Sequence, residues 1–224
     1  MQNALSFIGP AYFLDNESIA PGQSINYYLE LAGQEGREPL ALRGTPGLKS
    51  AVTGLDGKVR ATDEFNGIGY AVAGNKFYTI ASDNTATSKG TIAGNWRAYM
   101  EYNSANQIVI ADAPIGFLDG YFIFPGIVTI AYIYDIVAGT ITQISDPDFD
   151  SSGDGTFFIS AINDGTNYDA LDFAKPESYP DKVLAIFIHH RQIIIFGEKT
   201  IEFWIDVGAA AFPFIRQNGT TIEH

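Results

Sequence analysis

Four runs of β-branched and aromatic residues in this chain stop at a tight Gly, Asn or Asp pair and then resume as a second such run. They are Ile68–Ile80 around Gly74-Asn75, Phe117–Phe124 around Asp119-Gly120, Phe157–Phe173 around Asp164-Gly165, and Gln192–Asp206 around Gly197-Glu198. Positive φ at a turn is cheap only for Gly, Asn and Asp, and the twist of such turns matches the strands they join. The chain is therefore expected to be built from β-hairpins, with little helix. Further turn signals at Asp56-Gly57, Asn66-Gly67, Gly94-Asn95, Gly153–Gly155 and Asn218-Gly219 cut the sequence after Leu48 into short segments. The alternation of Ile201, Phe203 and Ile205 with Glu202, Trp204 and Asp206 predicts a strand with one apolar and one mixed face.

A four-stranded propeller blade takes about 40 to 45 residues, so the chain from Leu48 to His224 accommodates about four blades or fewer. The fold class expected is all-β, a propeller-like array of hairpins that is incomplete at this length. A sandwich or irregular barrel would give a similar pattern, because turns do not specify which edges pair. Residues 1–45 read differently. Gly9-Pro10, Pro21-Gly22 and the polar stretch Gly33–Pro39 leave only short apolar segments, which predicts an extended N-terminal arm preceding a domain over 46–224. The Pro46-Gly47 pair suits a type II turn at that junction.

Composition bounds the function. With 46% hydrophobic and 13% aromatic residues the chain is globular. The absence of cysteine rules out disulfides and thiolate zinc sites. Met1–Ile8 lacks the basic and continuous apolar regions of a secretory signal. The most apolar window, Tyr121–Tyr134, is short of the roughly 20 residues of a spanning helix and is broken by Pro125-Gly126, so no membrane span is expected. Net charge is −13, and the 13 Lys and Arg are scattered singly apart from His189-His190-Arg191. A protein that grips phosphates needs clustered cations to displace counterions, so tight nucleic-acid binding is disfavoured.

No motif carries chemistry strongly. Asp146, Asp148, Asp150 and Asp154 form an acidic loop, but Ser151 stands where a calcium loop of the EF-hand type needs its turn Gly. Phe157 stands where that loop needs its bidentate Glu, so the segment reads as a solvated loop. Ser160–Tyr168 resembles the Asp-box turn of sialidase-type propellers with the spacing off by one, and such a turn is structural. His189-His190-Arg191 sits between two apolar strand runs; adjacent strand positions would point the two rings to opposite sides and keep them from sharing an ion, so a turn or strand-end role is expected. There is no nucleophile elbow, phosphate loop or zinc-protease motif. No catalytic, cofactor-binding or metal residue is assigned, no cofactor is expected, and the chain is read as a non-enzyme.

Five segments in order carry a resemblance: Arg43–Leu48, Gly94–Asp112, Ile141–Phe149, Phe157–Phe173 and Phe196–Trp204. Together they resemble the packaged-DNA stabilisation proteins of short-tailed bacteriophages, also called tail nozzle or tail accessory proteins. The resemblance implies a β-propeller-containing structural subunit of the virion tail, assembled in the host cytoplasm. It implies a homo-oligomeric ring, commonly a hexamer, below the portal and its adaptor. Such a ring would receive spikes or fibres and a plug, hold packaged DNA, and let the genome pass at ejection without binding it tightly. Family members are longer, so this chain, at about half the usual length, implies an incomplete propeller. In addition, the hairpin Phe117–Phe124 precedes Tyr132–Asp135 and Asp146–Phe149 where the family pattern places it later, which leaves pairing across 113–156 open.

A carbohydrate- or receptor-binding β-module of a phage tail is the alternative, motivated by Tyr27, Tyr28, Tyr78, Tyr121 and Trp204 if these rings are exposed. Hairpin and core packing is the competing role for the same rings.

Overall fold

The computed structural model describes residues 27–31, 40–44, 50–149, 155–176, 181–210 and 212–223. The chain divides into two compact units, Met1–Ser50 and Ala51–His224. In the first, β1 (Tyr27–Leu31) pairs antiparallel with β2 (Leu40–Gly44), from Tyr27 opposite Gly44 to Leu31 opposite Leu40. The rest of the expected arm, and the junction near residue 45, lie outside the described residues.

The second unit is all strand among its described residues, arranged as four antiparallel sheets. The first is a plain meander of β3 (Val59–Phe65), β4 (Ile68–Ala73), β5 (Lys76–Ile80) and β6 (Ala86–Thr91). The second holds β7 (Tyr99–Tyr102), β8 (Gln107–Ala111), β11 (Ala131–Asp135) and β12 (Thr140–Gln143). The third holds β9 (Gly116–Leu118), β10 (Tyr121–Pro125), β13 (Phe157–Ala161) and β14 (Asp164–Ala174). The fourth runs β15 (Val183–His189), β16 (Gln192–Gly197), β17 (Thr200–Asp206) and β18 (Phe214–Arg216), with β19 (Ile222–Glu223) also paired to β17.

The second and third sheets are interleaved. After β8 the chain crosses to the third sheet, makes the β9–β10 hairpin, returns for β11–β12, and crosses again for β13–β14. This settles the pairing that the sequence left open: β8 pairs with β11 over Gln107–Ala111, and β10 pairs with β13 from Ile123 opposite Ile159 to Pro125 opposite Phe157. Stacked sheets lie about 10 Å apart, a gap that the short links 112–115 and 126–130 can span. The two links are pinned side by side, because Asp112 donates its N–H to the Ile130 carbonyl at 3.3 Å and its carboxylate accepts the Thr129 N–H at 3.0 Å.

Burial on both faces explains the continuous apolar runs of the central strands. Ile108 and Ile110 pack with Tyr70, Val72 and Phe77 of the first sheet. Their neighbours Val109 and Ala111 face the other way, toward Phe122, Phe124, Phe158 and Tyr168 of the third. Ile123, Phe157 and Ile159 then meet Ile186, Ile193 and Trp204 of the fourth. Three apolar layers thus join four sheets in series. Their leading strands follow one another, with β3 beside β7, β7 beside β9 and β9 beside β15, which is the inner edge of a propeller.

Two expected turns sit elsewhere. The hairpin of Phe157–Phe173 turns at Ile162-Asn163, with Asn163 at φ 55°, and Asp164-Gly165 already belongs to β14. Gly165 is there for space: a Cβ would stand 2.9 Å from Ile133 and 3.0 Å from Phe122, where the second and third sheets touch. Similarly β16 runs through Gly197, and the turn is Glu198-Lys199. A Cβ at Gly197 would fall 2.5 Å from the Asp181 carboxylate, which accepts the N–H groups of Lys199 (2.7 Å) and Thr200 (3.1 Å). In both cases a glycine that resembles a turn residue in sequence clears room for a neighbour.

Candidate functional site

A cleft of about 430 Å³ lies between the inner strands β3 and β7, and its polar lining comes from Arg60, Thr62, Asp63, Arg97 and Tyr99. The strands approach closely enough for the Ala98 N–H to reach the Arg60 carbonyl at 3.3 Å. Arg60 itself turns away from any ligand. Its Nε donates to the Trp96 carbonyl at 2.8 Å, and its Nη1 donates to the carbonyls of Gly74 at 2.7 Å and Gly94 at 2.9 Å. Its guanidinium also lies 4.4 Å over the Trp96 ring. The planar fork thereby ties the β4–β5 turn to the link leading into β7, and burial pushes its pKa below the ordinary value. Arg97 lies 5.3 Å over Tyr99.

A carboxyl pair occupies the same strands. Glu101 on β7 is pushed up to about 7, first by burial and then by the negative Asp63 on β3. Two carboxyls with one pKa near neutrality can move a proton, but of the two only Asp63 lines the cleft, which holds no imidazole and no second carboxylate. Among the described residues no three His, Asp or Glu side chains stand close enough to hold a metal ion.

Other sequence-level candidates are placed as follows. Asp146 accepts the Asp148 N–H at 2.9 Å and shapes its own turn, and Phe149 packs into the core between the second and third sheets. Asp150 and Asp154 lie outside the described residues. In the segment resembling an Asp box, Asp164 accepts the Thr166 N–H at 2.9 Å and Tyr168 Oη donates to the Gly165 carbonyl at 2.9 Å, all within the hairpin. His189-His190-Arg191 takes the turn and strand-end role expected of it. His189 ends β15, and His190 lies in a tight turn with Arg191, both at positive φ (47° and 64°). This lets the two rings stack 4.0 Å apart instead of facing opposite sides as adjacent strand residues would. Arg191 reaches across to Asp119 at 3.0 Å, joining this turn to the β9–β10 turn.

The aromatics that motivated glycan binding are largely core. Tyr78 and Trp204 are only 4% and 5% exposed, and Tyr121 is half-buried against Phe214. The side chains of Tyr27 and Tyr28 lie outside the described residues. Two features were invisible in the sequence: the Arg60 clasp, whose carbonyl partners are 14 to 36 residues away, and the Asp63–Glu101 pair, brought together by two separate sheets.

Comparison with known proteins places these observations. No curated protein matches the chain. Among solved structures, it is similar to the computationally designed Ika4 protein, at 13% identity over 69% of this chain and 94% of that one, with a TM-score of 0.41. It is also similar to Hsv2 of Kluyveromyces lactis, at 11% identity over 90% of this chain and 84% of that one, with a TM-score of 0.34. The family model described as Bacteriophage P22 Gp10, beta-propeller, matches residues 25–224. With nearly the whole sequence matched, and with four stacked antiparallel sheets in its second unit, the chain belongs to the Bacteriophage P22 Gp10 β-propeller family of phage stabilisation proteins.

Proposed function

We propose that this chain is a structural subunit of the phage portal–tail complex, forming with copies of itself a ring that closes the DNA channel. The ring holds the packaged genome and lets it pass at ejection. The observation that carries the reading is the family match over residues 25–224. The chemistry of the fold is compatible with it: in the cleft between β3 and β7 the Arg60 guanidinium is committed to backbone carbonyls, as suits a rigid structural wall. A net charge of −13 suits a surface past which DNA must slide, since like charges within about 8 Å repel at physiological salt. In this reading a hexameric ring sits on the portal adaptor and receives spike or fibre and plug proteins below. The glycan-binding alternative is weakened by the burial of Tyr78 and Trp204, two of the rings that motivated it.

The test is genetic and structural. Particles grown without this chain are expected to package DNA and then lose it, and antibody labelling of intact virions should fall at the portal vertex. Full DNA retention without the chain, or labelling confined to the capsid shell, would overturn the proposal.

A further inference from the structure

Asn-Gly occurs at two places in this chain, Asn66-Gly67 and Asn218-Gly219. In such a pair the glycine nitrogen can attack the carboxamide carbon of the asparagine, and a residue without Cβ puts no steric shield in the way. The two pairs are alike in their freedom. All four residues are exposed. Gly67 and Gly219 stand at φ 76° and 77°, and a Cβ at either would meet no atom within 4 Å, so the peptide plane before each glycine has room to turn. They differ at the nitrogen. Gly67 donates its N–H to Glu64 Oε1 at 2.7 Å, within the reach a general base needs. The Asn218-Gly219 turn is spanned instead by Thr220 Oγ1 donating to the Gln217 carbonyl at 2.7 Å, and among the described residues no carboxylate accepts its glycine N–H. What sets Glu64 in place is the two-residue turn after β3, which closes with Phe65 opposite Ile68 and brings the glycine nitrogen back over the strand end. Among the described residues no hydrogen bond holds the Asn66 carboxamide away from that nitrogen.

We propose that Asn66 is a self-modifying site, converted to aspartate and isoaspartate with Glu64 as the general base. Glu64 takes the Gly67 amide proton as the nitrogen bonds to Asn66 Cγ. The Cγ–Nδ2 bond then breaks and ammonia leaves with that proton, which regenerates the Glu64 carboxylate and closes a cyclic succinimide. Water opens the ring at either carbonyl, giving the two products. Each adds one negative charge beside Asp63 and Glu64, in a chain already at −13. The isoaspartyl product also lengthens the main chain within a turn shaped for two residues. That strains the pairing of Phe65 with Ile68 and the packing of the Phe65 ring, whose centroid lies 4.2 Å from that of Tyr102 in the second sheet. The modification therefore loosens, as the protein ages, the seam between the first and second sheets. The inference rests on this turn alone and is independent of the ring reading.

The second Asn-Gly pair supplies the control. The full chain is incubated at neutral pH in heavy-oxygen water and sampled over weeks by peptide mapping, which reads both sites at once because each ring opening inserts one labelled oxygen. Asn66 is expected to convert about tenfold faster than Asn218 or more, a modest share of what a positioned general base supplies. Glu64→Gln keeps an oxygen that can accept the Gly67 N–H but removes the basic carboxylate. It is expected to bring Asn66 down to the rate of Asn218 and to leave Asn218 unchanged. Conversion of Asn66 no faster than that of Asn218 in the unaltered chain would overturn the proposal. So would a fast conversion that Glu64→Gln leaves as it was, since the shape of the turn and not the carboxylate would then set the rate.

Discussion

Arg60 and Glu101 show how single residues are held by contacts distant in sequence. Arg60 is one of 13 scattered cations, yet in the fold it satisfies three carbonyls from two segments at once. Replacing it with Met keeps the stem and strands those carbonyls, so Arg60→Met is expected to destabilise by roughly 3 to 5 kcal/mol. Arg60→Lys should recover little, because an ammonium cannot reproduce the fork. Denaturant melts of both variants check this, and a wild-type midpoint in either contradicts the clasp. Glu101 acts in the opposite direction. Its folded pKa of about 7 lies above the ordinary 4.5, so the folded chain binds the proton more tightly than the unfolded chain. Its contribution is fullest below about pH 4.5 and is lost as pH rises through 7. Glu101→Gln mimics the protonated form, and is expected to raise stability by roughly 1 to 3 kcal/mol at pH 8 and leave it nearly unchanged at pH 4. Equal thermal shifts at the two pH values would contradict this account.

At the scale of strands and turns, the β15–β16 hairpin closes on His190-Arg191, two residues with side chains in the left-handed region. That conformation costs roughly 1 to 2 kcal/mol per residue for most side chains. The double change His190→Asn, Arg191→Gly is expected to stabilise by about 1 kcal/mol even after losing the exposed Arg191–Asp119 pair, which is worth under about 1 kcal/mol. A lower melting temperature in the double variant would mean that the pair or the His189–His190 stack outweighs backbone strain. The same hairpin marks the limit of what strand patterns reveal. Asn66-Gly67 and Asp119-Gly120 announce their turns, because only such residues accept positive φ readily. His190-Arg191 announces its turn only by its place between two apolar runs. Gly165 and Gly197 mislead for a related reason, since a glycine needed for close approach leaves the same mark as one needed for a turn. The interleaving of the second and third sheets was legible only as an anomaly in segment order. Hairpins are local in sequence, whereas the choice of β11 as the neighbour of β8 is fixed by packing across Ile108–Ala111 and Ala131–Asp135.

For the whole molecule, a member of a phage structural family has to be reconciled with the charge its fold displays. Sequence spacing shows no basic cluster, but the fold gathers Lys58, Arg60 and Arg97 around a second cleft of about 270 Å³ beside Trp96. Three cations in one place resemble a phosphate site. Arg60 is nevertheless turned inward onto carbonyls, and Arg97 lies over Tyr99, so the grouping does not present a forked anion receptor. Each phosphate contact releases counterions and adds to the salt dependence of binding, so a chain whose 26 carboxylates outnumber its 13 Lys and Arg has little to gain from DNA. Duplex DNA at about 150 mM salt, a physiological ionic strength, is therefore expected to form no complex tighter than roughly 10⁻⁶ M in a gel-shift titration. Lys58→Ala and Arg97→Ala should leave that result unchanged. A sub-micromolar affinity that falls steeply with salt and weakens in those two variants would identify the cleft as a phosphate grip, and would contradict a surface built to let DNA slide past.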